Sequence, residues 1–294
     1  MNISQRLEKL GERFFVTSFK GVAKCSELLG FNIDSLVARL LQHLLHKGQL
    51  NNRFLLNHGG SHDLKLFTQY IPDRYSDNLV TYKEKVNFLS FSDLDKWTKD
   101  NHQNNGGDLS RYFFLNLCLD YLIEENLAGN VAELGVFKGN SAFLLSKFAQ
   151  RTNTLCYLFD TFEGFDGRDL VGGDAHFDKS SFSNTSLETV KKLIGENKNT
   201  IYVKGYFPDS LSQIDSVGEM ILVHLDCDLE KPMLDALIYF YPKLKRGGFL
   251  IMHDHSSYYW PGARSAIDYF FKGKLELVVP IPDKSGTCVV RKIQ

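Results

Sequence analysis

The stretch Asn130-Val131-Ala132-Glu133-Leu134-Gly135-Val136-Phe137-Lys138-Gly139-Asn140-Ser141 decides the fold. A short apolar run stops at a glycine, a second glycine follows, and a helical pattern takes over across 138–150. This reads as a strand handing over to a helix through a tight turn. Glycine lets the backbone bend sharply and approach a ligand, and the helix N-terminus offers unpaired N–H groups. The glycine pair alone is also what a plain βα turn would show, and the full GxGxxG fingerprint of dinucleotide binding is missing.

Outward from that turn the pattern repeats. Strands are expected at 154–159, 200–204, 220–225 and 249–253. Helices are expected to start near Thr185-Ser186-Leu187-Glu188 and to cover 231–241 and 263–271. Residues 275–280 and 287–293 read as a strand pair joined by the turn Asp283-Lys284-Ser285-Gly286. Upstream, 109–126 reads as a helix closed by Gly129. Alternating β and α predicts an α/β, doubly wound, mostly parallel seven-stranded sheet with a terminal hairpin. The polar run 101–108 predicts a boundary between a domain at 105–294 and a mainly helical extension at 1–104. That extension carries no chemistry motif and reads as a cap or oligomerisation element, so a homo-oligomer is expected.

Composition sets limits on function. Of 294 residues, 34 are Lys or Arg and 35 are Asp or Glu, a net charge of -1. That balance gives no general reason to bind nucleic acid or an anionic membrane. The polar start of the chain and the lack of a long apolar run predict a cytoplasmic, reducing setting. Cys25, Cys118, Cys156, Cys227 and Cys288 are widely spaced among apolar neighbours and read as buried thiols. The aromatic content, 23 Phe and 13 Tyr, could fill a core or wall a pocket for a flat ligand.

In a doubly wound sheet, ligands bind beyond the carboxyl ends of the strands. Glu133 beside the glycine turn would disfavour a pyrophosphate and suits an ammonium group. Asp160, ending the second strand, can accept both hydroxyls of a ribose. Together these propose a nucleoside ligand without phosphate, for which S-adenosylmethionine fits. Tyr206 and Phe207 follow the third strand, where they could stack on adenine or pack in the core. The fourth strand runs into Asp226-Cys227-Asp228 and the fifth into His253-Asp254-His255. Asp226 and Asp254 are hard oxygen ligands suited to Mg²⁺ or another divalent cation, with His253 or His255 as possible additions. Asp228 could then serve as general base toward a hydroxyl, a poor nucleophile until metal and base act on it. The Gly- and Asp-rich connection at 161–185 is long enough to be a lid.

The same residues carry a resemblance. Val131 to Gly139, Phe159-Asp160-Thr161-Phe162-Glu163-Gly164-Phe165, Val203-Lys204-Gly205-Tyr206-Phe207-Pro208-Asp209, His224-Leu225-Asp226-Cys227-Asp228-Leu229 with Lys231-Pro232, and Gly247-Gly248 with His253-Asp254 occur in order. Over about 105–294 they resemble the macrocin O-methyltransferase family, which methylates sugar hydroxyls of antibiotics. The resemblance implies a Rossmann-like class I methyltransferase fold, S-adenosylmethionine, a divalent metal and a glycosylated small-molecule acceptor. Carried over by position, Glu133, Leu134, Gly135, Gly139, Ser141, Asp160, Thr161, Phe162, Gly205 and Phe207 are cofactor contacts. Asp226, His253 and Asp254 fall at the metal, and Asp228 at the base. One departure stands out: some members have two consecutive acids where this chain has His253-Asp254. The metal then has either a nitrogen ligand or one protein ligand fewer. Two other readings compete. A nicotinamide-dependent reductase is opposed by Glu133 and the incomplete fingerprint, and a non-catalytic assembly protein by the intact Asp226, Asp228 and Asp254.

Overall fold

The structure, a computed structural model, describes residues 88–89, 91–101, 109–284 and 286–294. The expectations for residues 1–87, the boundary run at 102–108 and Cys25 lie outside the described residues. Seven strands form one sheet: β1 (Asn130–Leu134), β2 (Cys156–Asp160), β3 (Thr200–Lys204), β4 (Met220–Leu225), β5 (Leu244–Met252), β6 (Val279–Pro280) and β7 (Cys288–Arg291). Their order is β3-β2-β1-β4-β5-β7-β6. The first five are parallel, while β7 runs antiparallel to β5 and to β6. The strand order reverses direction between β1 and β4, which is where such a sheet opens a crevice.

Successive strand residues point to opposite faces. Val131, Leu158, Leu222 and Ile251 enter the core on one face. Ala132, Phe159, Val223 and Leu250 enter the core on the other. All six residues of β4 are buried, the mark of a central strand covered on both sides. The first face is covered by α1 (Phe91–Asp100), α2 (Leu109–Glu124), α3 (Asn140–Thr152) and α4 (Leu187–Ile194). The second is covered by α5 (Glu230–Phe240) and α6 (Pro261–Phe271). Ser186 caps α4, its hydroxyl accepting the Thr189 N–H at 3.1 Å, as the Thr185-Ser186 start predicted.

Four details differ from expectation. α1 falls within the helical extension expected at 1–104, yet it packs into the core of the sheet domain: Trp97 stacks on Phe143 at 5.2 Å and meets the edge of Tyr112 at 5.3 Å. β5 begins at Leu244 instead of 249, because the register with β4 shifts between Met220 and Leu222 and absorbs Gly247-Gly248. The strand expected at 275–280 shrinks to Val279–Pro280; Leu275 and Leu277 are exposed, so no apolar face holds an extended segment there. Cys118, Cys156 and Cys288 are buried free thiols, but Cys227 is only half-buried because it leaves β4 at the crevice. None of the described helices is long and apolar enough to cross a membrane.

Candidate active site

A cavity of about 350 Å³ opens beyond the carboxyl ends of the parallel strands. Leu134, Gly135, Ser141, Asp160, Thr161, Gly205 and Phe207 line it, together with Asp226, Asp228, His253 and Asp254. Glu133, Gly139 and Phe162 are not on this wall. Gly135 sits at φ +88, and a Cβ there would lie 1.9 Å from the Asp226 carbonyl oxygen. Only glycine fits, so the turn lies flush against the end of β4 and leaves the cavity clear.

The acids of the turn are held in place. Asp160 Oδ2 accepts the Phe137 N–H at 2.8 Å, and Oδ1 accepts the Phe162 N–H at 2.6 Å. This one carboxylate ties the loop after β1 to the loop after β2. Burial raises its pKa, and the Phe137 and Phe162 amides work against that rise. Glu133 is fully buried behind the turn. Its Oε1 accepts the Ser141 hydroxyl at 2.5 Å and pairs with His224 Nδ1 at 2.7 Å, while Oε2 has no hydrogen-bond partner among the described residues. Ser141 is thus the link between Glu133 and the cavity. Asp160 is the carboxylate that the cavity wall presents beside the glycine turn, and an acid there suits the hydroxyls of a nucleoside better than a pyrophosphate.

The other end of the cavity is a charged cluster. His253 Nδ1 lies 2.8 Å from Asp226 Oδ1 and 2.9 Å from Asp254 Oδ2. These three residues offer donor atoms all within 4.8 Å of one another, a grouping able to hold a metal ion. Asp228 and Asp254 adopt φ 60 and 63 just past their strands. Such left-handed geometry costs about 1–3 kcal/mol in a non-glycine residue and turns both acids into the crevice. Arg111, from the first turn of α2, donates from Nη1 to Asp226 Oδ2 at 2.8 Å, and the same nitrogen is 2.8 Å from His253 Nε2. His255 takes no part; it pairs with Asp268 at 2.9 Å.

The charges shape one another. Burial pushes the Asp226 carboxyl up, but His253 and Arg111 more than offset it and hold the group well below the usual carboxylate range. Burial, with Asp254 and Asp226 nearby, drives the Asp228 carboxyl well above that range. Burial also raises Asp254, against the pull of His253. Burial favours a neutral His253 ring, yet Asp226 carries its pKa up to about 10. Two acids only two positions apart are thereby driven in opposite directions.

The 161–185 segment closes over the cavity. Phe165 and Phe182 line it and face Trp260 at 5.7 and 5.9 Å. Asp174 is buried, and its Oδ2 accepts the Glu230 N–H at 2.7 Å, capping α5 where Leu229 offers no side-chain cap. Tyr206, considered above as an adenine platform, donates its hydroxyl to Asp169 at 2.7 Å, accepts from Lys231 at 2.5 Å, and carries the Arg168 guanidinium 3.5 Å above its ring centre. Phe207 stacks on Phe240 at 5.8 Å and belongs mainly to the core. Sequence reasoning missed Arg111, Asp169 and Asp174. No local pattern marks Arg111, which sits 115 positions from Asp226. The acidic composition of 161–185 was the one available signal for the other two.

Comparison with known proteins places the chain in a family and a fold. Residues 107–292 match the family described as Macrocin-O-methyltransferase (TylF). The 8-demethyl-8-(2,3-dimethoxy-alpha-L-rhamnosyl)-tetracenomycin-C 4'-O-methyltransferase of Streptomyces olivaceus is 24% identical over 193 residues, covering 62% of this chain and 72% of that one. The demethyldecarbamoylnovobiocin O-methyltransferase of Streptomyces niveus is 24% identical over 214 residues, covering 65% and 80%. The solved structure of the O-methyltransferase NovP shares the fold, with a TM-score of 0.54 and 20% identity over 63% of this chain and 80% of that one. The sheet is that of a class I O-methyltransferase, and the chain belongs to the macrocin O-methyltransferase (TylF) family.

Proposed function

We propose that this protein transfers a methyl group from S-adenosylmethionine to a hydroxyl of a sugar on a glycosylated natural product. The observation that carries this reading is the meeting, in one cavity, of the Gly135 cradle and the Asp226/His253/Asp254 cluster. Gly135, Asp160 and Ser141 would hold the cofactor, with Glu133 acting on it through Ser141. Asp226, His253 and Asp254 would hold a divalent cation, which when bound supplies Lewis acidity toward an acceptor oxygen.

The chain's own residues do the rest. Asp228 is the base: it lies on the cavity wall beside the cluster, and burial gives its carboxylate a raised affinity for a proton. Phe165, Phe182 and Trp260 present apolar faces on which a sugar or a flat aglycone can rest. The 161–185 lid, which carries Phe165 and Phe182, excludes water from the reacting centre. The family match and the relative named for 4'-O-methylation of a rhamnosyl-bearing tetracenomycin support the same acceptor class.

Calorimetric titration with S-adenosylhomocysteine, with and without a divalent salt, tests the cofactor half. A methyl-transfer screen over glycosylated aromatics, free sugars and catechols tests the acceptor half. Binding of NADPH without binding of S-adenosylhomocysteine would overturn the proposal. Asp228→Ala is expected to keep cofactor binding and lose turnover; unchanged turnover removes Asp228 as the base.

A further inference from the structure

We infer that His253 tunes the cation site toward a first-row transition dication, such as Mn²⁺ or Co²⁺, over Mg²⁺. The inference rests on the proposed methyltransferase reading and names the class of ion that its site selects.

The donor set is the first argument. Mg²⁺ binds through oxygen and keeps much of its water, whereas imidazole nitrogen suits transition metals. Here one ring nitrogen stands between two carboxylate oxygens. The ring is not a loose neighbour: His253 is buried, and its backbone N–H is fixed to Leu225 O at 2.8 Å.

Distance is the second argument. Two donor atoms at right angles around an ion, each about 2.1 Å away, lie about 3.0 Å apart. Nδ1 lies 2.8 Å from Asp226 Oδ1 and 2.9 Å from Asp254 Oδ2. Nδ1 can thus share an octahedral coordination sphere with either oxygen with only small adjustments. The competing explanation is a simple hydrogen-bonded cluster. In that cluster a single Nδ1 proton is shared between two acidic oxygens. A dication would satisfy both.

Arg111 is the third. It takes the far atoms of two ligands, Asp226 Oδ2 and His253 Nε2, and leaves Oδ1 and Nδ1 facing inward. The contact to Asp226 is of the kind that orients a metal ligand, whereas the one to Nε2 fits only the ion-free ring, because a guanidinium only donates. The guanidinium also adds a positive charge that weakens every dication. A neutral ring bound through Nδ1 carries its proton on Nε2, so Arg111 must give up that contact when an ion enters. That repulsion acts alike on either dication, so the choice between them falls to the ring nitrogen.

The test titrates the full chain with MnCl₂ and MgCl₂ by calorimetry, comparing wild type, His253→Asp and Arg111→Met. The Mn²⁺-to-Mg²⁺ affinity ratio is expected to fall at least about tenfold in His253→Asp. Both ions should bind more tightly to Arg111→Met, with the ratio little changed. CoCl₂ provides a second readout: its visible absorption should lose the nitrogen-ligand contribution in His253→Asp. If that variant misfolds by circular dichroism, His253→Gln, similar in size and lacking the ring nitrogens, should lower the same ratio. An unchanged ratio in the folded variant, or no cation bound to wild type, overturns the inference. S-adenosylhomocysteine added in the same titrations separates the two readings. Its binding upholds the methyltransferase assignment whatever the ions do, and its failure to bind counts against that assignment alone.

Discussion

The strand ends beneath the cavity and the 161–185 segment above it both present acids and aromatic rings, yet they hold them by different means. Below, backbone pairing does the positioning. The Asp226 N–H is bonded to Leu134 O at 2.9 Å and the His253 N–H to Leu225 O at 2.8 Å, so each functional side chain inherits its place from the sheet. Above, side chains do it: Asp174 on the start of α5, Asp169 on Tyr206, Arg168 across the Tyr206 ring. A floor set by strand pairing opens only with global unfolding. A lid pinned by a few side-chain bonds can open alone, which a reaction that admits substrate and then excludes water requires.

Four substitutions would break or sharpen that contrast. Phe159→Ala empties the floor of a fully buried ring packed on Phe207 and Phe240, and should cost about 3–5 kcal/mol of stability by urea unfolding. A loss below about 1 kcal/mol would mean that the floor is not the rigid half. Asp226→Asn keeps the shape but removes the charge of a proposed ligand. Turnover should fall roughly 10²–10³-fold with cofactor binding retained, and a parallel loss of cofactor binding would argue against its place at the acceptor end.

The lid should respond on a smaller scale. Asp174→Ala uncaps α5 and should cost about 0.5–2 kcal/mol. Hydrogen exchange should speed up in 161–185 and at Glu230 while β4 stays protected; uniform acceleration would merge lid and floor into one unit. Tyr206→Phe removes a hydroxyl that joins Asp169 to Lys231, a loss of about 0.5–1.5 kcal/mol. It should appear as a raised KM with kcat nearly unchanged.

The same contrast explains what could be read in advance. The parallel strands announce themselves as short apolar runs, and the residues at their ends follow from topology: Gly135, Asp160, Asp226 and Asp254 were legible because strand ends share one edge. Asp228 and Asp254 were legible for the same reason, although their left-handed φ was not. The lid anchors were not legible. Nothing near Asp174 in sequence indicates that it caps a helix 56 positions away, or that Gly262 is needed because a Cβ there would lie 2.3 Å from the Asp174 carboxylate. Arg111 lies on a helix so apolar that its face carries no directional pattern. Glu133 was placed beside the cofactor from its neighbourhood in sequence, but the side chain points behind the turn, because alternation along β1 sends it into the interior with His224.

The absence of a Cβ at Gly135 ties two halves of the chemistry to one pivot. On the proposed reading, any residue that widened the turn to admit a different methyl donor would push on the Asp226 carbonyl, and with it the carboxylate assigned to the acceptor end. Donor range and acceptor activation are therefore inherited together. The outline drawn by Phe165, Phe182 and Trp260 carries no such linkage, so a lineage can trade one acceptor for another there while the donor stays constant. Divergence in what is methylated, with constancy in what supplies the methyl group, is the path that this architecture leaves open.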